Sequence, residues 1–215
     1  ALPDGSHAFL PTAGGAIFNT AIALGRLGES TGFFYGLSTD LMGKVLERAL
    51  VESGVDHSLC LRSDRPTTLA FVTLTNGHAQ YAFYDNGTAG RMIAIADLPV
   101  FPRMEALHFG AISLISNPSA TALEALAFRE HALSVISLDP NIRPGFVVDE
   151  QAYRARLDRM LSISDIVKVS DDDLAWLAPG RDFEACAADW TGAGRRIVVL
   201  TRGEQGALAV TRHGA

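Results

Sequence analysis

Val135-Ile136-Ser137-Leu138-Asp139-Pro140-Asn141 is a short apolar run that breaks into a turn. Its flanks give it meaning. Upstream, Ser119 to His131 reads as a helix behind Asn117-Pro118, and Ala106 to Ile112 reads as a strand. Downstream, Glu150 to Leu161 is helical, Ile163 to Val169 is a buried strand, and Asp172 to Leu177 is a short helix. Phe183 to Trp190 is a further helix, followed by strands at Ile197 to Leu200 and Ala207 to Thr211. Apolar strands that alternate with amphipathic helices predict an α/β fold with a mostly parallel sheet covered on both faces. Ligands of such sheets sit beyond the carboxyl ends of the strands.

The first ninety residues follow a different rhythm. Phe18 to Leu27 reads as a helix with Ile17, Ala21, Leu24 and Leu27 on one face. Thr31 to Leu37 is strand-like. Leu41 to Glu52 is a helix, with Asp40 as its N-cap and Gly54 just past its end. Thr67 to Thr75 and Ala79 to Tyr84 are β-rich and flank Asn76-Gly77, a hairpin turn signal because both residues tolerate positive φ. This hairpin stands outside the alternation and reads as a small β-flap.

Composition narrows the class. Hydrophobic residues make up 48% and charged residues 20%, as in a globular protein. The net charge of −6 points to neither nucleic acid nor an anionic membrane. No apolar run approaches the ~18 residues of a membrane span. Cys60 and Cys186 lack metal or disulfide spacing, which fits packing roles in a reducing, cytoplasmic setting. The six histidines are scattered, so a zinc site is not expected.

No Gly-x-Gly-x-x-Gly follows a strand, and Gly43-Lys44 lacks the rest of a phosphate loop. Gly192-Ala193-Gly194 precedes a strand and reads as a decoy. Gly14-Gly15-Ala16-Ile17-Phe18-Asn19 is more informative. Two glycines before a helix allow close backbone approach to a ligand, and Asn19 offers one acceptor and two donors for adjacent hydroxyls. The same residues also read as an ordinary glycine turn.

Gly14-Gly15-x-x-x-Asn19, Gly28 and Asp40-x-x-Gly43 together resemble the first signature of the ribokinase-like (PfkB) carbohydrate kinases. Ile17 and Ser38 depart from the family pattern but resemble its bacterial fructokinase branch. Tyr81 to Met92 resembles the second lid strand and following turn, which implies that Phe83 and Asp85 face the sugar. Relatives acting on sugar acids tend to carry Arg at the Asp85 position, so an acid there favours a neutral sugar. Asp139-Pro140-Asn141-x-Arg143 resembles a family segment in which Asn141 or Arg143 contacts the sugar or its phosphate, although an Asx turn held by Asp139 would explain it too. Lys168-Val169-Ser170-Asp171-Asp172-Asp173 resembles the Asn-x-x-Glu region. There the resemblance implies Lys168 and Ser170 at the nucleotide and Asp173 near Mg²⁺ through its water shell; a helix N-terminus capped by Ser170 reads from the same residues, and the two can hold together. Thr201-Arg202-Gly203-x-x-Gly206 resembles the nucleotide-binding turn, and reads also as a tight turn between strands.

The resemblance implies a single, incomplete domain over residues 1–215 with three α/β/α layers and a small β-sheet lid around 5–12 and 64–90. It implies phosphorylation of a neutral sugar, fructose first, with ATP and Mg²⁺ as partners, and leaves K⁺ and a homodimer through the lid open. An opening strand before residue 1 and a Gly-Ala-Gly-Asp segment with the catalytic base after residue 215 are the parts it expects elsewhere. The alternatives are a kinase for ribose, a nucleoside or 2-keto-3-deoxygluconate, and a non-catalytic sugar- or nucleotide-binding protein.

Overall fold

A computed structural model of the chain describes residues 8–75, 78–192, 197–211 and 213. The chain divides into two compact units, Ala1–Gly90 and Arg91–Ala215.

In the first unit, helix α1 (Ala16–Arg26) buries Phe18 and Ala21, with Ile22 packed beside them. Gly25 continues that stripe, because a Cβ there would stand 2.3 Å from the Ser53 carbonyl oxygen. The i, i+3, i+4, i+7 face therefore runs Phe18–Ala21–Ile22–Gly25. This corrects the expected stripe through Leu24 and Leu27, which are exposed. A count of apolar side chains misses a contact made by a residue that has none.

Strands β1 (Gly36–Ser38) and β2 (Leu61–Ser63) pair in parallel, with α2 (Leu41–Glu52) in the crossover between them. The strand expected over Thr31 to Leu37 shrinks to its end. Gly32 makes only an isolated bridge to Asp56, because the partner strand is three residues long. Phe33 instead packs edge-on against Phe18, and Leu37, Leu50, Val55 and Cys60 complete the core. Burial pushes the Cys60 thiol up to about 11, as suits a packing cysteine rather than a reactive one.

Asp40 caps α2 as expected. Its Oδ1 accepts the Gly43 N–H at 2.7 Å, and its two oxygens also accept the Thr67 hydroxyl and N–H. The cap thereby ties α2 to the segment leading into the hairpin. Burial acts to raise the Asp40 pKa, but the hydrogen bonds from Thr67 and Gly43 outweigh it and hold the carboxyl at about 2 against an ordinary 3.8. A depressed carboxyl stabilises the fold above its unfolded pKa, so this contribution should fade as pH falls from about 4 to about 2. In urea unfolding, wild type is expected to lose on the order of 1 kcal/mol more across that window than Asp40→Asn does, the figure being reduced for solvent screening.

Strands β3 (Leu69–Thr75) and β4 (His78–Tyr84) form the antiparallel hairpin, in register from Leu69↔Tyr84 to Thr75↔His78. The Asn76-Gly77 turn lies outside the described residues. Phe71 stacks edge-on with Phe9 and Tyr84, while strand alternation turns Phe83 to the other face.

The second unit is a five-stranded sheet in the order β5 (Ala106–Gly110), β6 (Val135–Asp139), β7 (Ile166–Ser170), β8 (Ile197–Thr201), β9 (Ala207–Val210). The first four strands are parallel and β9 is antiparallel. Helices α3 (Ser119–Glu130), α4 (Glu150–Ile163), α5 (Asp171–Leu177) and α6 (Phe183–Thr191) fill the crossovers. Because the strands advance in one direction, right-handed connections place these helices on one face. That face buries Phe109, Ile136, Leu138, Val167, Val169, Val198 and Leu200. The other face carries His108, Ser137, Asp139, Lys168, Ser170 and Thr201, all half-buried.

Two strand limits of this sheet differ from expectation by two residues or more. β5 stops at Gly110 rather than reaching Ile112. At φ 155° a Cβ on Gly110 would lie 1.8 Å from the Asp139 carbonyl oxygen, and the chain turns there into a 3₁₀ segment, Ala111–Leu114. β7 starts at Ile166 rather than Ile163, because α4 runs on to Ile163.

Candidate active site

The parallel strands converge their carboxyl ends on one edge: Asp139 closes β6, Ser170 closes β7 and Thr201 closes β8. Asp139 does two things there. Its Oδ1 accepts the Asn141 N–H at 3.2 Å, so the Asx turn is real, and Asn141 takes φ 41°, a conformation asparagine tolerates. Its Oδ2 meets the Lys168 ammonium at 3.2 Å. Behind this pair His108 lies 3.0 Å from the Ser137 hydroxyl. Burial lowers the His108 pKa, Asp139 opposes that shift and Lys168 adds to it. The imidazole thus takes up a proton less readily than a free one.

Farther along the loop, Ile142 is buried and Arg143 donates to the Ile142 carbonyl at 2.9 Å. The Ile142 N–H donates to Asp173 Oδ1 at 2.7 Å. Asp173 is only 2% exposed, and its Oδ2 accepts both the N–H and the hydroxyl of Ser170. The Ser170 hydroxyl in turn takes the Asp173 N–H, which closes a capping box on α5. Three of the roughly four acceptor positions of the Asp173 carboxylate are thus taken by protein donors, and a magnesium ion or one of its waters would compete with them. Among the described residues no group of three acidic, histidine or cysteine side chains is placed to hold a metal ion. The residues at Asp173 do not fit the ion.

The Thr201 to Gly206 segment is a tight turn from β8 into β9, closed by Arg202 N–H donating to the Gly206 carbonyl at 2.8 Å, with Gly206 at φ 81°. Ser170 and Thr201 are register partners across β7 and β8. The Arg202 Nε is buried and has no hydrogen-bond partner among the described residues. Buried donors are nearly always paired, so this one suits an acceptor supplied by a ligand. Lys168, Ser170 and the Thr201–Gly206 turn thus fit an anionic nucleotide along one edge.

The remaining expected residues lie in the first unit. Gly14 and Gly15 are exposed ahead of α1, and the Asn19 N–H bonds the Gly15 carbonyl at 2.7 Å. Asn19 therefore sits inside the helix with its side chain exposed, and it is not the cap. Phe83 is half-buried at the foot of the hairpin. Asp85 Oδ1 accepts the hydroxyls of Thr68 at 2.6 Å and Thr88 at 2.9 Å. Sequence reasoning missed both threonines and the Asp139–Lys168 pair. The pair was within reach: the parallel register that sets Leu138 beside Val167 brings Asp139, one step on, to Lys168.

Comparison with known proteins agrees with this geometry. The description "pfkB family carbohydrate kinase" matches residues 6–215. A fructokinase of Rhizobium leguminosarum bv. trifolii is 56% identical over 209 residues, 97% of this chain and 64% of that protein. The chain therefore spans somewhat under two thirds of that relative's length. A fructokinase of Escherichia coli is 30% identical over 218 residues, 98% of this chain and 70% of that protein. The crystal structure of a Xylella fastidiosa fructokinase superposes with a TM-score of 0.89 at 27% identity, covering 100% of this chain and 71% of that one. A Vibrio cholerae O395 fructokinase bound to fructose, ADP and a calcium ion gives 0.82 at 28% identity, covering 92% and 65%. The α/β architecture is the ribokinase-like one, and the chain belongs to the pfkB family of carbohydrate kinases.

Proposed function

We propose that the protein carrying this chain transfers a phosphoryl group from ATP to a hydroxyl of fructose. The observation that carries the reading is the 56% identity with the Rhizobium fructokinase, sustained across 209 residues. The geometry supports it from two sides. On the nucleotide side, the Lys168 ammonium and the Arg202 Nε, which has no partner among the described residues, offer positive charge and a donor to phosphate oxygens. Fixed donors of this kind stabilise charge that moves during transfer, and positioning supplies most of the rest. On the sugar side, Asn19 and Asp85 are polar side chains for hydroxyl groups. The Asp85 carboxylate, held by Thr68 and Thr88, opposes a substrate that brings its own carboxylate.

A coupled ATP-consumption assay with fructose, ribose and 2-keto-3-deoxygluconate tests the reading. Fructose should lead in kcat/KM by at least about a hundredfold, a floor below the roughly 10⁴–10⁵-fold with which hydrogen-bonding sites can reject a mismatched substrate. Equal or faster turnover of the sugar acid would remove both the fructose reading and the role given to Asp85.

A further inference from the structure

Asp173 occupies a position whose acidic character suggests metal chemistry, yet its carboxylate is engaged by donors of the protein itself. Three donors converge on its carboxylate: the Ile142 N–H on one oxygen, and the N–H and hydroxyl of Ser170 on the other. Ile142 lies in the turn between Asn141 and Arg143, whereas Ser170 ends the strand that carries Lys168. The carboxylate is thus a bracket between the loop offered to the sugar and the strand offered to the nucleotide.

The setting is built for a fixed charge. Ser170 and Asp173 cap each other at the start of α5, so the carboxylate cannot swing without uncapping that helix. The Ile142 side chain is buried, which anchors the loop from the opposite side. Asn141 is held at positive φ by the neighbouring Asp139, and it would relax toward commoner conformations if the Ile142 N–H lost its acceptor. The hydroxyl of Tyr153 is also buried, and burial followed by the Asp173 charge raises its pKa.

We infer that Asp173 is a positioning residue, locking the Asp139–Arg143 loop onto the β7–α5 junction, and that it reaches neither a metal ion nor a metal-bound water. The inference rests on the kinase reading for its kinetic consequences, but not for its structural one.

The test compares wild type, Asp173→Asn and Ser170→Ala in the full-length enzyme. In Asp173→Asn, hydrogen exchange at the Ile142 amide should speed up about tenfold or more, because an ionic acceptor is replaced by a weaker one. The KM for fructose should rise by about tenfold through a displaced loop, while the Mg²⁺ concentration for half-maximal rate stays within about twofold. Ser170→Ala, which keeps the carboxylate and loses only part of the box, should show the same pattern more weakly and remains readable if Asp173→Asn does not fold. Ile142 exchange at the wild-type rate, an unmoved fructose KM, or a Mg²⁺ requirement raised about tenfold would each overturn the inference. If wild type does not phosphorylate fructose at all, the proposed function fails, and Ile142 exchange alone still decides the role of Asp173.

Discussion

Arg156→Ala is expected to destabilise the second unit by about 3–5 kcal/mol, the range seen when one partner of a buried ionic network is removed. Arg156 projects from α4 and is only 8% exposed. Its Nε meets Glu124 of α3 at 3.1 Å, and its two terminal nitrogens donate to the Leu114 carbonyl, Asn117 Oδ1 and Thr121 Oγ1. One guanidinium thus joins two helices to the segment that follows β5. Truncation leaves the buried Leu114 carbonyl without this donor and Glu124 with Arg159 alone. For a chain of this size the loss corresponds to a fall in Tm of roughly 6–20 °C.

Two further readings separate this mechanism from simple loss of packing. Arg156→Met keeps most of the side-chain stem, so a loss nearly as large as for alanine would assign the effect to the hydrogen bonds. The second reading uses pH. Burial acts to raise the Glu124 pKa, and the bonds from Arg159 and Arg156 more than reverse it. A lowered carboxyl stabilises the fold above its ordinary pKa and loses that contribution in acid. Wild type and Arg156→Ala should therefore converge as pH falls below about 4.5. A gap that is constant with pH would count against the Glu124 contact.

Features whose chemistry is local are legible in the sequence. Both limits of α2 follow from Asp40 ahead of the helix and Gly54 behind it, and the structure places the helix at Leu41–Glu52. The alternation from Ala106 onward is legible because each crossover is short and each strand apolar on one side. Legibility fails where a contact has no side-chain signature. Gly25 packs on Ser53 through the absence of a Cβ, so an apolar stripe drawn from side chains drifts to the wrong residues. It fails again where a residue's direction matters more than its type. The acid at Asp173 is plain in the sequence, but that its oxygens turn inward to Ile142 and Ser170 depends on how two loops meet. The antiparallel course of β9, by contrast, follows from the tight turn read at Thr201–Gly206, since so short a connection joins only antiparallel strands.

The largest functional loss is expected at Lys168. Under the kinase reading, Lys168→Met should lower kcat by about 10²–10³-fold, as when one donor to a developing charge is removed, and should weaken ATP more than fructose. The Lys168 side chain is 30% exposed and contacts that of Asp139, 16% exposed, so it is tethered without being enclosed. A tethered lysine keeps its place while phosphate oxygens arrive, and Asp139 is the group that sets that place. Asp139→Asn should consequently reduce activity as well, by a smaller factor of about tenfold, because Lys168 keeps its charge and loses its guide. If Lys168 served only as the counterion of Asp139, the outcome would differ in kind. Either single variant would lower the melting temperature by leaving one charge without its partner. The Asp139→Asn/Lys168→Met double variant would then recover stability and activity together. Under the proposed role the double variant recovers stability at most, and its kcat stays at the level of Lys168→Met. Steady-state kinetics in ATP and fructose, run beside thermal melts on the same four proteins, separate the two.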